Sequence, residues 1–298
     1  MNVLIAGGTG FLGQALARHL QGAGHRVSVL SRRPSAPDAT PPVFHWDPER
    51  HELDPRALAG IDAVVNLAGE NLASGLWTRE RKRRLVESRV DSTRFLVSRM
   101  IESKPRPRVL VSASAVGIYG NRGDEVLLET SAPGKGFLAE LCQAWEAEAL
   151  AAREAAIRTV PLRFGVVLDT LLAKLLPVFR IGIGGTLGSG HQWMSWIALA
   201  DVVQTIELGL TRESLDGPVN VVAPSPVRNR EFTRALGRVL KRPTILPVPA
   251  PALRLVFGEM AEEALLSSAR AEPGRLAALG CRFLYPELVP ALRAAIKI

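Results

Sequence analysis

The chain has 298 residues, 47% of them hydrophobic and 22% charged, which is enough apolar material for a full α/β core and excludes a disordered protein. The formal net charge of +8 suggests nucleic acid as a partner, but only 5% of the residues are aromatic, so the base-stacking side chains of single-strand binders are scarce. We therefore predict that the protein does not bind nucleic acid.

The sequence indicates neither a membrane segment nor a metal site. No apolar run is as long as a bilayer-spanning helix, and a strand is predicted directly after Met1, where a signal peptide would otherwise begin. Cys142 and Cys281 are far apart, lack the spacing of metal ligands and are typical of reduced thiols. We predict a cytoplasmic protein, monomer or homodimer, that acts on a small molecule without a bound metal or a membrane partner.

A glycine-rich turn lies between the first predicted strand, residues 3–6, and a predicted helix over residues 11–20. Gly7 permits a sharp turn, Gly10 permits close approach of a pyrophosphate, and Gly13 permits tight packing of the helix on the sheet. The N–H groups of the first helical turn would face the anion. The pattern predicts a dinucleotide-binding loop, and its candidate residues are Gly7, Thr9, Gly10, Phe11, Leu12 and Gly13.

The second predicted strand, residues 26–31, ends where such a fold meets the adenosine ribose of the cofactor. NAD-specific sites usually have a carboxylate there, which accepts a hydrogen bond from the ribose 2′-hydroxyl. This chain has Ser31, Arg32 and Arg33 instead. Guanidinium groups suit a 2′-phosphate, although two arginines can also simply cap an exposed strand end. We predict NADP(H) as the cofactor.

Strands alternate with helical segments over about the first 165 residues, which predicts an α/β protein with a doubly wound parallel sheet of the Rossmann type over residues 1–165. The further strands are predicted at residues 43–46, 62–67, 108–112 and 159–163.

Beyond this region, residues 166–298 are predicted to form a smaller, mostly helical substrate lobe. Helices are predicted at 199–211 and at 229–240, the latter with Asn229 as its N-cap residue. A strand is predicted between them at 218–222. The two lobes interleave, so their boundary is approximate.

Two of the predicted strands end in small and polar residues on the edge that would face the ligand. After the strand at 62–67, small residues would let a flat ring lie on the backbone, although a simple strand-end turn gives the same pattern. The predicted cofactor contacts there are Asn66, Leu67, Ala68 and Gly69. The strand at 108–112 continues through Ser114 to Tyr119 at the same edge.

The whole layout resembles the extended short-chain dehydrogenase/reductases, the group of nucleoside-diphosphate-sugar epimerases. It is similar in particular to an atypical epimerase-like subfamily that ends in a lobe of unassigned function. The stretches that carry this likeness are 67–71 (LAGEN), 117–123 (GIYGNRG), 137–146 (FLAELCQAWE) and 192–197 (QWMSWI). The resemblance implies an oxidoreductase or epimerase that acts on a carbonyl or sugar-like compound.

In that superfamily a serine and a Tyr-x-x-x-Lys pair move the proton while the nicotinamide moves a hydride. The resemblance places the serine at Ser114, the tyrosine at Phe137 and the lysine at Leu141, and it places the upstream asparagine of the usual tetrad near Arg89, a further predicted cofactor contact. Phe137 has no hydroxyl proton to donate, and Leu141 has no charge with which to lower the pKa of a proton donor. The standard proton relay is therefore missing. Ser114 stays the candidate catalytic residue, and Tyr119 is a second candidate acid, although the matching tyrosine in typical relatives is structural.

The candidate substrate contacts follow a glycine-rich stretch at residues 181–190. His191 is expected at the rim of the cleft, as a substrate contact or as an exposed loop side chain. Trp193 and Trp196 would form an aromatic wall for a substrate or fill the junction of the lobes. The sequence thus predicts an NADP(H)-binding oxidoreductase or epimerase, and the alternative is a non-catalytic NADP(H)-binding or regulatory protein.

Overall fold

The computed structural model describes residues 1–33 and 39–297. Its strands, in chain order, are β1 (Asn2–Ala6), β2 (Arg26–Ser31), β3 (Val43–Asp47), β4 (Glu52–Leu53), β5 (Ala63–Asn66), β6 (Val109–Ala115), β7 (Val126–Leu127), β8 (Arg158–Phe164), β9 (Val166–Val167), β10 (Trp193–Met194), β11 (Trp196–Ile197), β12 (Val219–Val221), β13 (Val227–Arg228) and β14 (Arg270–Ala271). Its α-helices are α1 (Phe11–Gly22), α2 (Arg79–Val86), α3 (Ser92–Glu102), α4 (Phe137–Leu150), α5 (Leu168–Arg180), α6 (Leu199–Thr211), α7 (Asn229–Leu240), α8 (Ala250–Phe257), α9 (Gly274–Ala278) and α10 (Leu288–Ile296).

Eight strands form one sheet in the order β12-β8-β6-β5-β1-β2-β3-β4. Neighbouring strands are parallel except for β4, which pairs antiparallel with β3 at the edge. The chain winds outward in one direction from β1 to β3 and in the other direction from β5 to β12. The prediction of a doubly wound α/β sheet is confirmed. The carboxyl ends of β1 and β5 meet at the switch point, where such sheets bind nucleotides.

Helices cover both faces of the sheet because its central strands are apolar on both sides. Along β1, Val3 and Ile5 pack with residues of α1 and α6, whereas Leu4 packs with residues of α3 on the opposite face. This division follows from the alternation of side chains along a strand. The central strands are thereby fixed, and the position of their carboxyl ends is fixed with them.

The second half of the chain contributes both to the sheet and to a helical lobe. Strand β12 extends the sheet by pairing with β8, so the sheet includes residues beyond 165. Helices α5, α7 and α10 pack around a separate apolar cluster that contains Trp196 and Phe232. The prediction for the start of α7 needs one correction: Arg228 is the N-cap residue, and the Asn229 side chain instead accepts a hydrogen bond from the Leu187 N–H at 2.9 Å.

Within the part of the chain that the structure describes, no helix has both the length and the apolar composition needed to cross a membrane.

Candidate functional site

The loop between β1 and α1 contains two glycines, Gly7 and Gly13, that no other residue could replace without displacing backbone. Gly7 has φ +77°, and a Cβ on it would lie 2.8 Å from the carbonyl carbon of Leu67. A Cβ on Gly13 would lie 2.4 Å from the Gly7 carbonyl oxygen. The loop is therefore packed closely against the end of β5 and against the first turn of α1.

Gly10 has a different environment from these two glycines. It is the N-cap residue of α1, and a Cβ on it would meet only the Gly7 carbonyl oxygen, 3.3 Å away. Thr9, Gly10 and Phe11 are exposed, and Leu12 is half-buried. Because Gly10 has no side chain to accept from the first-turn N–H groups, these donors are available to an anion. The residues present fit the diphosphate of a dinucleotide.

At the end of β2, one side chain is buried and two point into solvent. The hydroxyl of buried Ser31 accepts a hydrogen bond from the Arg33 N–H at 3.1 Å, which shapes the turn. Arg32 and Arg33 are exposed. The Arg32 Nη1 atom lies 3.5 Å from an oxygen of Glu49, and its side chain is 63% exposed. An exposed pair of this kind contributes little to stability, so its guanidinium group is free to bind another anion.

The end of β5 forms a turn that lies against the glycine loop. Asn66 is fully buried, donates to the Thr93 hydroxyl at 2.8 Å and accepts from the Ala68 N–H at 3.2 Å. The side chain of Asn66 therefore positions the turn and is not exposed to a ligand. The backbone of Leu67 and Ala68 lies beside Gly7.

Arg89 lies behind this turn, on a short π-helical segment, Glu87–Asp91. Its guanidinium donates to the Glu70 carbonyl oxygen at 2.7 Å and lies 5.3 Å from the ring of Trp145. A Cβ on the exposed Gly69 would approach the Arg89 Cζ atom to 3.1 Å. Burial lowers the pKa of Arg89 to about 10.

Ser114 lies at the end of β6, and its single proton is already engaged. Its Oγ donates to a carboxylate oxygen of Glu146 at 2.6 Å. Arg163 donates to both oxygens of the same carboxylate, at 2.8 Å each. Burial alone would lower the pKa of Arg163, but the hydrogen bonds to Glu146 outweigh burial and raise it. Ser114, Glu146 and Arg163 thus form one buried polar network.

The sequence did not predict the roles of Glu146 and Arg163. Arg163 directly follows the apolar residues 160–162 of β8, and a buried charge normally needs a partner. This position was the signal that the sequence offered. The partner itself could not be read from the sequence, because Glu146 lies 17 positions away on a helix.

Tyr119 belongs to the same network and is not exposed. Its side chain is fully buried, and its hydroxyl donates to Asn220 at 2.7 Å or to the Leu128 carbonyl at 3.0 Å. It also accepts from Arg163 at 2.9 Å. Burial raises the pKa of Tyr119. These contacts link β12 to the end of β6, and they argue against Tyr119 as an acid.

Phe137 and Leu141, where the resemblance places the superfamily's tyrosine and lysine, lie near the start of α4 in apolar surroundings. The ring of Phe137 packs edge-on against Trp77, with 5.3 Å between centroids, and the Lys82 Nζ atom lies 5.0 Å from the Phe137 ring. Leu141 is buried in the same cluster, which also contains Met260 from the second half of the chain.

The segment after α8 closes over the start of α4. The carboxylate of Glu263 accepts from the Phe137 N–H at 2.9 Å and from the Leu138 N–H at 2.7 Å, and Glu259 forms an ion pair with Lys82. The carboxylate compensates the free N–H groups of the α4 N-terminus. The sequence analysis did not identify Glu263.

The three predicted substrate contacts have different environments. His191 is exposed, and its carbonyl accepts from Arg228. The ring of Trp193 lies between the guanidinium groups of Arg228 and Arg270, at 4.6 and 4.9 Å, and its N–H donates to Asp124. Trp196 is fully buried in the lobe core and donates to the Ser225 carbonyl. Of the two roles considered for Trp196, the structure shows the packing role.

Among the described residues, no group of three His, Cys, Asp or Glu side chains is arranged to hold a metal ion.

The fold and the glycine loop define a dinucleotide-binding α/β protein. Residues 3–222 match the model of the NAD dependent epimerase/dehydratase family, and residues 248–295 match a domain of unknown function, DUF1731. An epimerase family protein of Mycobacterium bovis is 43% identical over 97% of this chain and 96% of its own length. The chain therefore belongs to the NAD dependent epimerase/dehydratase family, as the sequence motifs predicted.

Two solved structures are similar over the whole chain. Human epimerase family protein SDR39U1 (isoform 2), solved with NADPH, has a TM-score of 0.89 and 32% identity, and the match covers 100% of this chain and 99% of the human one. A nucleoside-diphosphate sugar epimerase from Corynebacterium glutamicum has a TM-score of 0.80 and 34% identity, with 99% of this chain and 58% of that chain covered. The human structure thus contains the reduced form of the cofactor that the sequence predicts here.

Proposed function

We propose that this chain binds NADP(H) along the carboxyl edge of the sheet. The observation that carries the proposal is the N-terminus of α1, where Gly10 leaves space and free N–H donors for a diphosphate. Arg32 and Arg33 are the candidate contacts of the adenosine 2′-phosphate. The NADPH in the structure of the human relative supports NADP(H) as the cofactor.

Gly10→Val is expected to weaken NADPH binding at least tenfold, about 1.4 kcal/mol, while the protein still folds. A valine side chain would occupy the space of the diphosphate, and only the Gly7 carbonyl oxygen lies within contact distance of its Cβ. Fluorescence titration measures the affinity, and circular dichroism checks the fold. Gly22→Val is the matched control, because a Cβ at the end of α1 meets no described atom within 4 Å. Tight NADPH binding by folded Gly10→Val protein would contradict the proposal.

NADPH is expected to bind at least tenfold more tightly than NADH, and Arg32→Ala is expected to reduce this ratio. The reason is that only NADPH has a 2′-phosphate for the guanidinium group to bind. Titration of both nucleotides against both proteins measures the ratio. Arg56→Ala serves as the control, since Arg56 is 79% exposed and lies beside Asn2, at the amino end of β1. Equal affinities for NADPH and NADH would refute the assignment of Arg32.

For the chemistry, we propose an oxidoreductase or epimerase acting on a carbonyl or sugar-like compound. When bound, the nicotinamide would supply or accept a hydride. Ser114 would contact the substrate oxygen, and Glu146 governs how it does so. Because the Ser114 hydroxyl donates its hydrogen bond to Glu146, its oxygen can only accept a hydrogen bond from a substrate. It therefore suits a substrate hydroxyl, which can donate a hydrogen bond, better than a carbonyl, which cannot.

A second function is favoured by a specific observation, namely the packing around Phe137 and Leu141. Both side chains are held in an apolar cluster that gives no proton at these two positions. A non-catalytic protein that binds NADP(H) as a regulatory ligand needs no proton donor at these positions. Loss of NADPH absorbance with a panel of carbonyl compounds distinguishes a carbonyl reductase from this alternative.

We also propose that residues 1–165 hold the cofactor and that residues 166–298 contribute the substrate side of the cleft, with His191 and Trp193 near its rim. A cytoplasmic location is proposed on the basis of the two free thiols, Cys142 and Cys281.

A further inference from the structure

Arg89 is a buried cation without a carboxylate partner among the described residues. Its hydrogen bonds go to the carbonyl oxygens of Glu70 and Leu85, at 2.7 and 3.4 Å, and to the Ser88 hydroxyl at 3.4 Å. The side chain packs against the ring of Trp145. A buried guanidinium usually has an ionised partner, because its desolvation is otherwise costly.

Three other cations in this region are neutralised. Each of them has a carboxylate within ion-pair distance, and the pairs are Arg81 with Glu70, Lys82 with Glu259 and Arg163 with Glu146. The carboxylate of Glu263 is engaged by the N-terminus of α4. Arg89 is therefore the one buried side chain in this group whose charge is left to act on a ligand.

The position of Arg89 is at the nicotinamide half of the proposed site. In the proposed site, the adenosine half of the cofactor lies at the end of β2, near Arg32, and the diphosphate lies at the glycine loop. The remaining half must extend over the ends of β5 and β6, which are neighbours in the sheet. Gly69, in the turn after β5, is exposed, and the Arg89 guanidinium lies within contact distance of a Cβ at that glycine. Trp145, which Arg89 contacts, is one helical turn beyond Leu141 on α4.

We propose that Arg89 makes the site selective for the reduced nucleotide, NADPH, over the oxidised nucleotide, NADP⁺. The inference rests on the proposed NADP(H) binding and deepens it. The oxidised nicotinamide ring has a unit positive charge that the reduced ring lacks, while the rest of the two nucleotides is the same. A fixed cation beside the ring therefore acts on the difference between them, and it does so strongly where water is excluded. The anionic diphosphate compensates Arg89 equally in both complexes.

The test compares three probes on the wild-type protein: NADPH, NADP⁺ and 2′-phospho-ADP-ribose, which lacks the ring. We expect NADPH to bind at least tenfold more tightly than NADP⁺, equivalent to about 1.4 kcal/mol. We also expect NADP⁺ to bind no better than 2′-phospho-ADP-ribose, because repulsion by Arg89 offsets the contacts of its ring. This comparison needs no variant, so it stays informative if substitutions at Arg89 unfold the protein.

Two substitutions then assign the effect to Arg89. Arg89→Gln removes the charge and should bring the ratio of NADPH to NADP⁺ affinity close to one. Arg89→Lys keeps the charge and should preserve most of the ratio, which a purely structural role of the arginine would not predict. Arg84→Gln, an exposed position on α2, is the control and should leave the ratio unchanged.

Three outcomes have distinct meanings. A wild-type ratio near one, or a ratio that persists in folded Arg89→Gln protein, overturns the role of Arg89 and leaves the proposed cofactor intact. Failure of all three probes to bind overturns the proposed cofactor itself. A ratio of tenfold or more that is lost in Arg89→Gln and kept in Arg89→Lys establishes the selectivity.

Discussion

Glu146→Ala is expected to destabilise the fold by about 3–5 kcal/mol, because it leaves the Arg163 guanidinium buried without a counter-charge. The two side chains are only 6% and 8% exposed, and they share two hydrogen bonds at 2.8 Å. The substitution also frees the Ser114 proton and removes an acceptor from it. Chemical denaturation at neutral pH measures the change in the free energy of unfolding.

Glu148→Ala is the matched control for this prediction. Glu148 lies two positions further along α4, and its partner Arg94 is 58% exposed, so its loss should cost less than about 1 kcal/mol. The double variant Glu146→Met with Arg163→Met should recover much of the loss, because it removes both charges together. Similar effects of Glu146→Ala and Glu148→Ala would show that the buried pair has no special role.

The network around Glu146 also determines what Ser114 can do. From the sequence alone, Ser114 is the residue that would donate its proton to a carbonyl oxygen. In the structure, the Ser114 hydroxyl instead donates a hydrogen bond to Glu146, whose carboxylate is held in place by Arg163. Donation to a substrate would require Ser114 to break a 2.6 Å hydrogen bond to a charged acceptor. The stability of the fold and the proposed role of Ser114 therefore depend on the same carboxylate.

The parts of the molecule that sequence reasoning predicted are those encoded by local patterns. Apolar runs and their spacing identify β1, β5 and β6, and the parallel order brings their carboxyl ends to one edge. The glycine loop follows from its position between β1 and α1. These features give the proposed cofactor site because it consists of strand ends and turns.

The remaining features depend on contacts between distant residues. Tyr119 is bound to Asn220, which is 101 positions away, and Glu263 caps a helix that begins 126 positions earlier. No spacing in the chain indicates such pairs. The sequence does not distinguish a tryptophan that lines a pocket from one that fills a core. For Trp196, only the packing of the lobe shows that it fills the core.

Phe137→Tyr is expected to raise carbonyl-dependent oxidation of NADPH by a factor of roughly 10² to 10⁴, the usual contribution of a positioned general acid. The substitution adds a phenol at the start of α4, where the Lys82 Nζ atom is 5.0 Å from the present ring. The absorbance of NADPH, followed with a panel of carbonyl compounds, measures the change.

Adding a lysine at Leu141, where the resemblance places the superfamily's lysine, is expected to be harmful. Leu141 is 3% exposed and lies in the apolar cluster with Trp145, whose ring already contacts the Arg89 guanidinium. An ammonium group there would be desolvated and close to a like charge, so Leu141→Lys should lower stability. The single Phe137→Tyr variant is therefore the cleaner test of the missing acid. Phe257→Tyr, in the same cluster, is its control and should leave turnover unchanged.

The outcome for wild type and Phe137→Tyr together decides between the two proposed functions. A rise in turnover that Phe257→Tyr does not reproduce means that the scaffold binds a reducible substrate and lacks only the proton donor. Brisk turnover by wild type that Phe137→Tyr leaves unchanged would contradict the idea of a missing acid, and its loss in Tyr119→Phe would then assign the acid to Tyr119 in spite of its burial. If both proteins bind NADPH and neither oxidises it with any carbonyl compound, the regulatory alternative is favoured over a carbonyl reductase, because a bound hydride donor and an added acid together would still find no carbonyl substrate.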